Sequence, residues 1–73
     1  MIQEVLAHIT GTVWKIETPP GSKVASGDPV IVLESMKMEL PVEAPCAGTV
    51  TEVRVREGQS VQEGEVLAMI EET

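Results

Sequence analysis

Aromatic residues are almost missing from this 73-residue chain: it has no phenylalanine, no tyrosine and one tryptophan, Trp14. A core must therefore be built from aliphatic side chains. A chain this short buries only about 60% of its unfolded surface, so that core is small. Cys46 is the only cysteine and His8 the only histidine, which excludes an internal disulfide and a Cys/His metal cluster. Cys46 reads as a small buried hydrophobe, and His8 as a structural or edge histidine in an apolar strand. Basic residues are scarce too. Five Lys and Arg stand against twelve Asp and Glu, for a net charge of -7. That excludes nucleic acid and anionic membrane surfaces as partners, since both need a basic patch. No apolar run is long enough to span a bilayer. The opening "MIQEVLAHIT" has neither the basic region nor the long apolar core of a signal peptide. A cytoplasmic protein with one unpaired cysteine is the expectation. There is no Ser/His/Asp set and no phosphate-binding loop. Glu63 and Glu65 read as solvated turn residues, so no residue is assigned a catalytic role.

What the chain does have is eleven Val, five Ile and four Leu. Branched side chains pack well on a pleated surface, which favours strands. Glycine or proline recurs every few residues, and no long 3.6-residue periodicity appears, so helices are not expected. Many short strands with regular turn signals predict an all-β sandwich or flattened barrel.

The chain is also one unit written twice. Residues 11–34, "GTVWKIETPPGSKVASGDPVIVLE", align without a gap on residues 48–71, "GTVTEVRVREGQSVQEGEVLAMIE". At this offset of 37, Gly11, Gly21 and Gly27 fall on Gly48, Gly58 and Gly64, which accounts for every glycine. A shared glycine skeleton predicts a shared backbone path, and hence two halves related by a pseudo-two-fold axis within a single domain, 1–73. Val30–Leu33 and Val66–Ile70 are nearly continuous apolar runs, expected to be strands that pair with the other half. Adding the offset to Lys37 gives 74, and subtracting it gives zero. The turn at Lys37 is therefore the symmetry mate of the gap between the termini. Lysine and termini should lie at opposite ends.

That turn, "ESMKMELP" (34–41), contains no Gly, Asn or Asp. A two-residue loop of Met36 and Lys37 pairs Leu33 with Leu40 and Ile31 with Val42, which are good apolar partners. Shifting the centre by half a residue pairs Leu33 with Pro41 and Ile31 with Glu43, which is worse. Two-residue hairpins favour type I′ or II′ turns, with positive φ at one or both central residues. Non-glycine residues there cost roughly 1 kcal/mol each. The same register sets Glu34 opposite Glu39, a mildly repulsive pair that Lys37 is expected to soften. Local rules broken at one spot mark a functional site.

The duplicated glycine skeleton and "ESMKME" resemble the biotinyl/lipoyl carrier domains, specifically the biotin carboxyl carrier type. The resemblance covers residues 4–71, and "EAPCAGTV" (43–50) resembles the family's return strand and turn. It implies a flattened β-barrel, or barrel-sandwich hybrid, of two pseudo-two-fold-related four-stranded halves. It implies that a biotin protein ligase forms biotinyl-AMP, and that the Lys37 amine attacks it to form an amide. A lysine amine has a reference pKa of about 10.4, so the ligase must favour the neutral nucleophile. Met36 and Met38 are implied neighbours of the cofactor. Glu34, Ser35 and Glu39 are candidates for ligase recognition. Biotin attached at Lys37 would then carry carboxybiotin between a biotin carboxylase and a carboxyltransferase, commonly toward an acyl-CoA. The domain would be a carrier, not an enzyme, and a monomer when isolated.

Ser35 stands where many such domains have Ala, a small change that modification is expected to survive. There is no insertion between Gly11 and Glu34, so the chain resembles the kind without a protruding "thumb". No Pro/Ala-rich linker or second domain is seen, as in a free-standing carrier or a domain cut from a larger enzyme. Three other readings remain, one of them a decayed carrier kept only for interaction. A lipoyl carrier shares fold and lysine, but typically flanks the lysine with acidic and small residues, as in Asp-Lys-Ala. An unmodified barrel-sandwich module used for assembly, as in efflux adaptors, usually carries a helical hairpin and lacks the Met-Lys-Met tip.

Overall fold

The valine-rich segments form eight strands and no helix in the computed structural model, which describes residues 1–73. They are β1 (Ile2–Leu6), β2 (Gly11–Ile16), β3 (Lys23–Val24), β4 (Pro29–Ser35), β5 (Met38–Glu43), β6 (Gly48–Val53), β7 (Ser60–Val61) and β8 (Val66–Glu72). Two four-stranded antiparallel sheets result, in the orders β1-β8-β6-β3 and β5-β4-β2-β7. The second is called here the hairpin sheet and the first the terminal sheet. Moving each strand of the terminal sheet by 37 residues, forward for β1 and β3 and back for β6 and β8, generates the hairpin sheet. Each sheet mixes the halves, and the last strand of each half pairs with the first strand of the other, β8 with β1 and β4 with β5.

The repeat extends to individual hydrogen bonds. The Gly21 N–H donates to the Val50 carbonyl at 2.7 Å, and the Gly58 N–H donates to Val13 at 2.7 Å. The Ala25 N–H donates to the Asp28 carboxylate at 2.9 Å, and its mate, the Gln62 N–H, donates to Glu65 at 3.0 Å. Register shifts also come in mates. Trp14 is bypassed where β2 pairs β4, and Thr51 where β6 pairs β8. The buried core follows suit. It consists of Val5/Val42, Ala7/Ala44, Val13/Val50, Val24/Val61, Val30/Leu67, Ile31/Ala68 and Leu33/Ile70, plus Val55. Fully burying a side chain of the Val, Ile or Leu class contributes about 1.5–3 kcal/mol, so the duplicated aliphatic set holds the two sheets together without aromatics.

Two side chains differ from the sequence reading. Cys46 is half-buried, packed against the core at the position of Ile9 in the other half. His8 is not in a strand: β1 ends at Leu6, and His8 lies exposed in the bend that follows. Just before it the Ala7 N–H donates to the Glu65 carbonyl at 2.9 Å and the Ala7 carbonyl accepts from the Gly64 N–H at 2.8 Å, as the chain leaves the sheet.

Glycine matters most where strands press together. A Cβ at Gly11 would stand 2.6 Å from the Glu34 carbonyl oxygen and 3.4 Å from Ser35 Cβ. A Cβ at Gly48 would overlap the Glu71 carbonyl oxygen and reach Ile70. Gly11 thus opens β2 against the end of β4, and Gly48 opens β6 against the end of β8. The chain leaves the termini along β1, reaches Gly11 beside Ser35, and after β5 comes back to Gly48 beside Glu71. Lys37 and the two termini therefore occupy opposite ends of a molecule 35 × 18 × 18 Å in extent.

Candidate functional site

The β4–β5 register is Ile31↔Val42, Leu33↔Leu40, Glu34↔Glu39 and Ser35↔Met38. This leaves Met36 and Lys37 alone at the tip. Their φ angles are 53° and 64°, the only positive values at non-glycine residues. Positive φ at both central residues makes the turn type I′, whose twist matches that of the flanking strands. Leu33 and Val42 anchor the hairpin in the core, and Gly11 lets β2 close under its base.

Beyond the anchor the side chains face solvent. Met36 is 90% exposed and Met38 60%, and Lys37 lies exposed between them. Apolar side chains so exposed at one tip gain nothing from the fold. Three ion pairs exist, Met1–Glu71, Lys15–Glu17 and Arg54–Glu52, and none involves the tip. Lys37 therefore does not bridge Glu34 or Glu39. These carboxylates face each other across the ladder on its outer side with no cation at either, contrary to the softening expected from the sequence. Ser35 is half-buried at the hairpin base, with its Cβ toward Gly11.

Two shallow grooves indent the surface. One, of about 460 Å³, lies between β2 and β7. The other, of about 310 Å³, is lined by Leu6, His8, Pro41, Val42 and Glu43. Lys37 lines neither. The tip is suited to a group held by a covalent bond: a primary amine, free of ion pairs, on a short rigid turn, with soft thioethers on both sides.

The sequence reading passed over Trp14. The lone aromatic is not core. It occupies the register shift in β2 and is 47% exposed. The repeat held the clue, since its mate is a polar residue, Thr51.

Residues 1–70 match the family model described as "Biotin-requiring enzyme". The chain is 43% identical over 63 residues to the biotin/lipoyl attachment protein of Bacillus subtilis (strain 168), covering 86% of each. It is 40% identical over 70 residues to the biotinylated protein TB7.3 homolog of Mycobacterium leprae (strain TN), covering 96% of this chain and 99% of the relative. Among solved structures, a single-chain, multi-domain long-chain acyl-CoA carboxylase matches with a TM-score of 0.92 and 33% identity, over 99% of this chain. The chain spans only 7% of that protein. With its fold, its duplicated core and nearly its whole length matched, the chain belongs to the biotin/lipoyl attachment family.

Proposed function

We propose that this chain is a biotin carboxyl carrier and that Lys37 is its attachment residue. The observation that carries the assignment is the tip itself: an exposed lysine at positive φ, flanked by exposed methionines and rigidly rooted in the core. The Lys37 Nζ attacks the acyl carbon of an acyl-adenylate. The C–N bond forms, AMP leaves, and the amine loses its proton to the medium or to a base on the ligase. A fixed turn contributes by orientation, since the amine is presented from one defined root. Once bound, biotin supplies a ureido nitrogen that accepts and releases a carboxyl group.

The chain is a carrier and not itself an enzyme. Its own residues hold the attachment point at the end of an elongated body, where successive active sites can take it in. Tethering raises the local concentration of the carried group at each site. The partners proposed are a biotin protein ligase, a biotin carboxylase and a carboxyltransferase, working in the cytoplasm. An acyl-CoA acceptor is supported by the likeness to an acyl-CoA carboxylase. Met36 and Met38 flank the cofactor. Glu34, Ser35 and Glu39, at the hairpin root, meet the ligase.

The test is intact mass spectrometry with an avidin blot on protein co-expressed with its ligase. Biotin is expected on wild type and absent from Lys37→Ala. Label on Lys15 or Lys23, a lipoyl mass, or no label would each sink the assignment.

A further inference from the structure

The pseudo-two-fold axis provides an internal control. The two sheets share one backbone path, so differences between their outer faces arise from side-chain chemistry alone. Along β4 the inward residues are Ile31 and Leu33, so Val32 and Glu34 point outward. Register then builds two outward rows on the hairpin sheet, Lys15–Val32–Pro41 and Thr12–Glu34–Glu39. Trp14, in the register shift, is exposed beside the first row. The matching rows of the terminal sheet are Glu52–Met69–Glu4 and Thr49–Glu71–Ile2, with Thr51 in the place of Trp14. Thus Trp14 and Pro41 stand where the other face has Thr51 and Glu4.

The hairpin sheet therefore carries an apolar shelf of Trp14, Val32 and Pro41. The shelf runs into the facing carboxylates Glu34 and Glu39, and these lead directly to the tip. Both carboxylates lack a cation within the molecule, and their mutual repulsion is relieved by a cation brought from outside. An exposed tryptophan next to unpaired charge is the composition of an interface anchor and its polar rim.

We propose that this outer face of the hairpin sheet is the docking surface for the enzyme that acylates Lys37. That enzyme would present an apolar pocket to Trp14 and an arginine or lysine to the Glu34–Glu39 pair. The proposal rests on Lys37 being the attachment residue. The acylating enzyme is favoured over the later enzymes for a geometric reason. It must bring the lysine Nζ itself within about 3–3.5 Å of the reacting carbon, which demands protein contact close around the tip. Sites that act on the carried group are reached at the end of the arm and need no such contact.

The experiment measures biotinylation kinetics with the cognate ligase at saturating biotin and ATP. Trp14→Thr installs the residue that the same backbone position already holds in the other half. It is expected to raise the KM for the carrier at least tenfold with kcat little changed. Thr51→Ala, on the other face, is expected to leave both constants within twofold. In parallel, wild-type carrier labelled with 5-fluorotryptophan reports on its only tryptophan. Its fluorine resonance is expected to shift on titration with unlabelled ligase, a readout independent of how well the variant folds. An unlabelled wild type overturns the attachment reading and this proposal together. A labelled wild type with unchanged KM in Trp14→Thr, or a fluorine signal that does not move, overturns the docking face alone. So does a variant that is biotinylated normally but slows carboxyl transfer, because the face then serves a later enzyme.

Discussion

Replacing Met36 by glycine should make the protein more stable and a poorer ligase substrate. Met36 has a φ of 53°, a region in which an L side chain costs roughly 1 kcal/mol. Glycine carries no such cost. At 90% exposure the methionine buries almost nothing that the substitution would lose. Against the gain stands the extra freedom of glycine in the unfolded chain, about 0.4–1 kcal/mol. The net is a stabilisation of up to about 0.6 kcal/mol. In a domain of this size 1 kcal/mol shifts Tm by roughly 4–8 °C, so a rise of up to about 5 °C is expected. Thermal unfolding by far-ultraviolet circular dichroism reads the first half of the prediction, and the rate of biotin incorporation reads the second. A Tm that falls would show that the tip is unstrained. The argument that Met-Lys was selected against local stability would then fail.

Two further outcomes bear on the scaffold. Gly48→Ala should be the more damaging of the mated glycine substitutions, costing roughly 3 kcal/mol in urea titrations against about 1–2 kcal/mol for Gly11→Ala. The new methyl at Gly48 meets a backbone carbonyl and Ile70 at once. Only Gly11→Ala should also slow biotinylation, because only that methyl presses on the root of the lysine hairpin. Pro41 withholds a backbone N–H from β5, an edge strand. Pro41→Val should leave Tm within a few degrees of wild type but raise concentration-dependent light scattering, as an unblocked edge recruits other strands. Unchanged scattering would show that the edge is protected by its charges alone.

The register of the hairpin was legible because apolar residues on β4 and β5 match at only one setting. Leu33 with Leu40 and Ile31 with Val42 leave a two-residue tip, and positive φ follows from its length. The glycine pairing likewise made the repeated backbone legible before any fold was seen. Other features depend on what repetition does not encode. The apolar runs pointed to pairing between the halves, but a repeat does not say which strands meet, so the partners, β8 with β1 and β6 and β4 with β5 and β2, had to come from the structure. Trp14 was hidden by the register shift in β2, because one extra residue breaks the inside-outside alternation used to read exposure. His8 was misplaced because Ile9 continues the apolar pattern after the strand has ended. The expected relief of Glu34 and Glu39 by Lys37 assumed that nearness in sequence brings charges together. In this tight turn the lysine is exposed and pairs with neither.

The equivalence of the lysine tip and the terminal gap can be put another way. The Glu72 N–H donates to the Met1 carbonyl at 2.8 Å, so β8 and β1 meet as the two arms of a hairpin that lacks only its loop. Topologically the backbone is a ring of two equal arcs with two junctions, one closed at Met36 and Lys37 and one open between Thr73 and Met1. The fold itself has no preference as to which junction is cut. A permuted chain opened at the tip and joined across the old termini would keep every strand pair, every mated core residue and both sheets. It would lose only a continuous turn beneath the lysine. Architecture makes the two poles interchangeable, and the proposed site rests on three side chains, Met36, Lys37 and Met38, that only one of them carries.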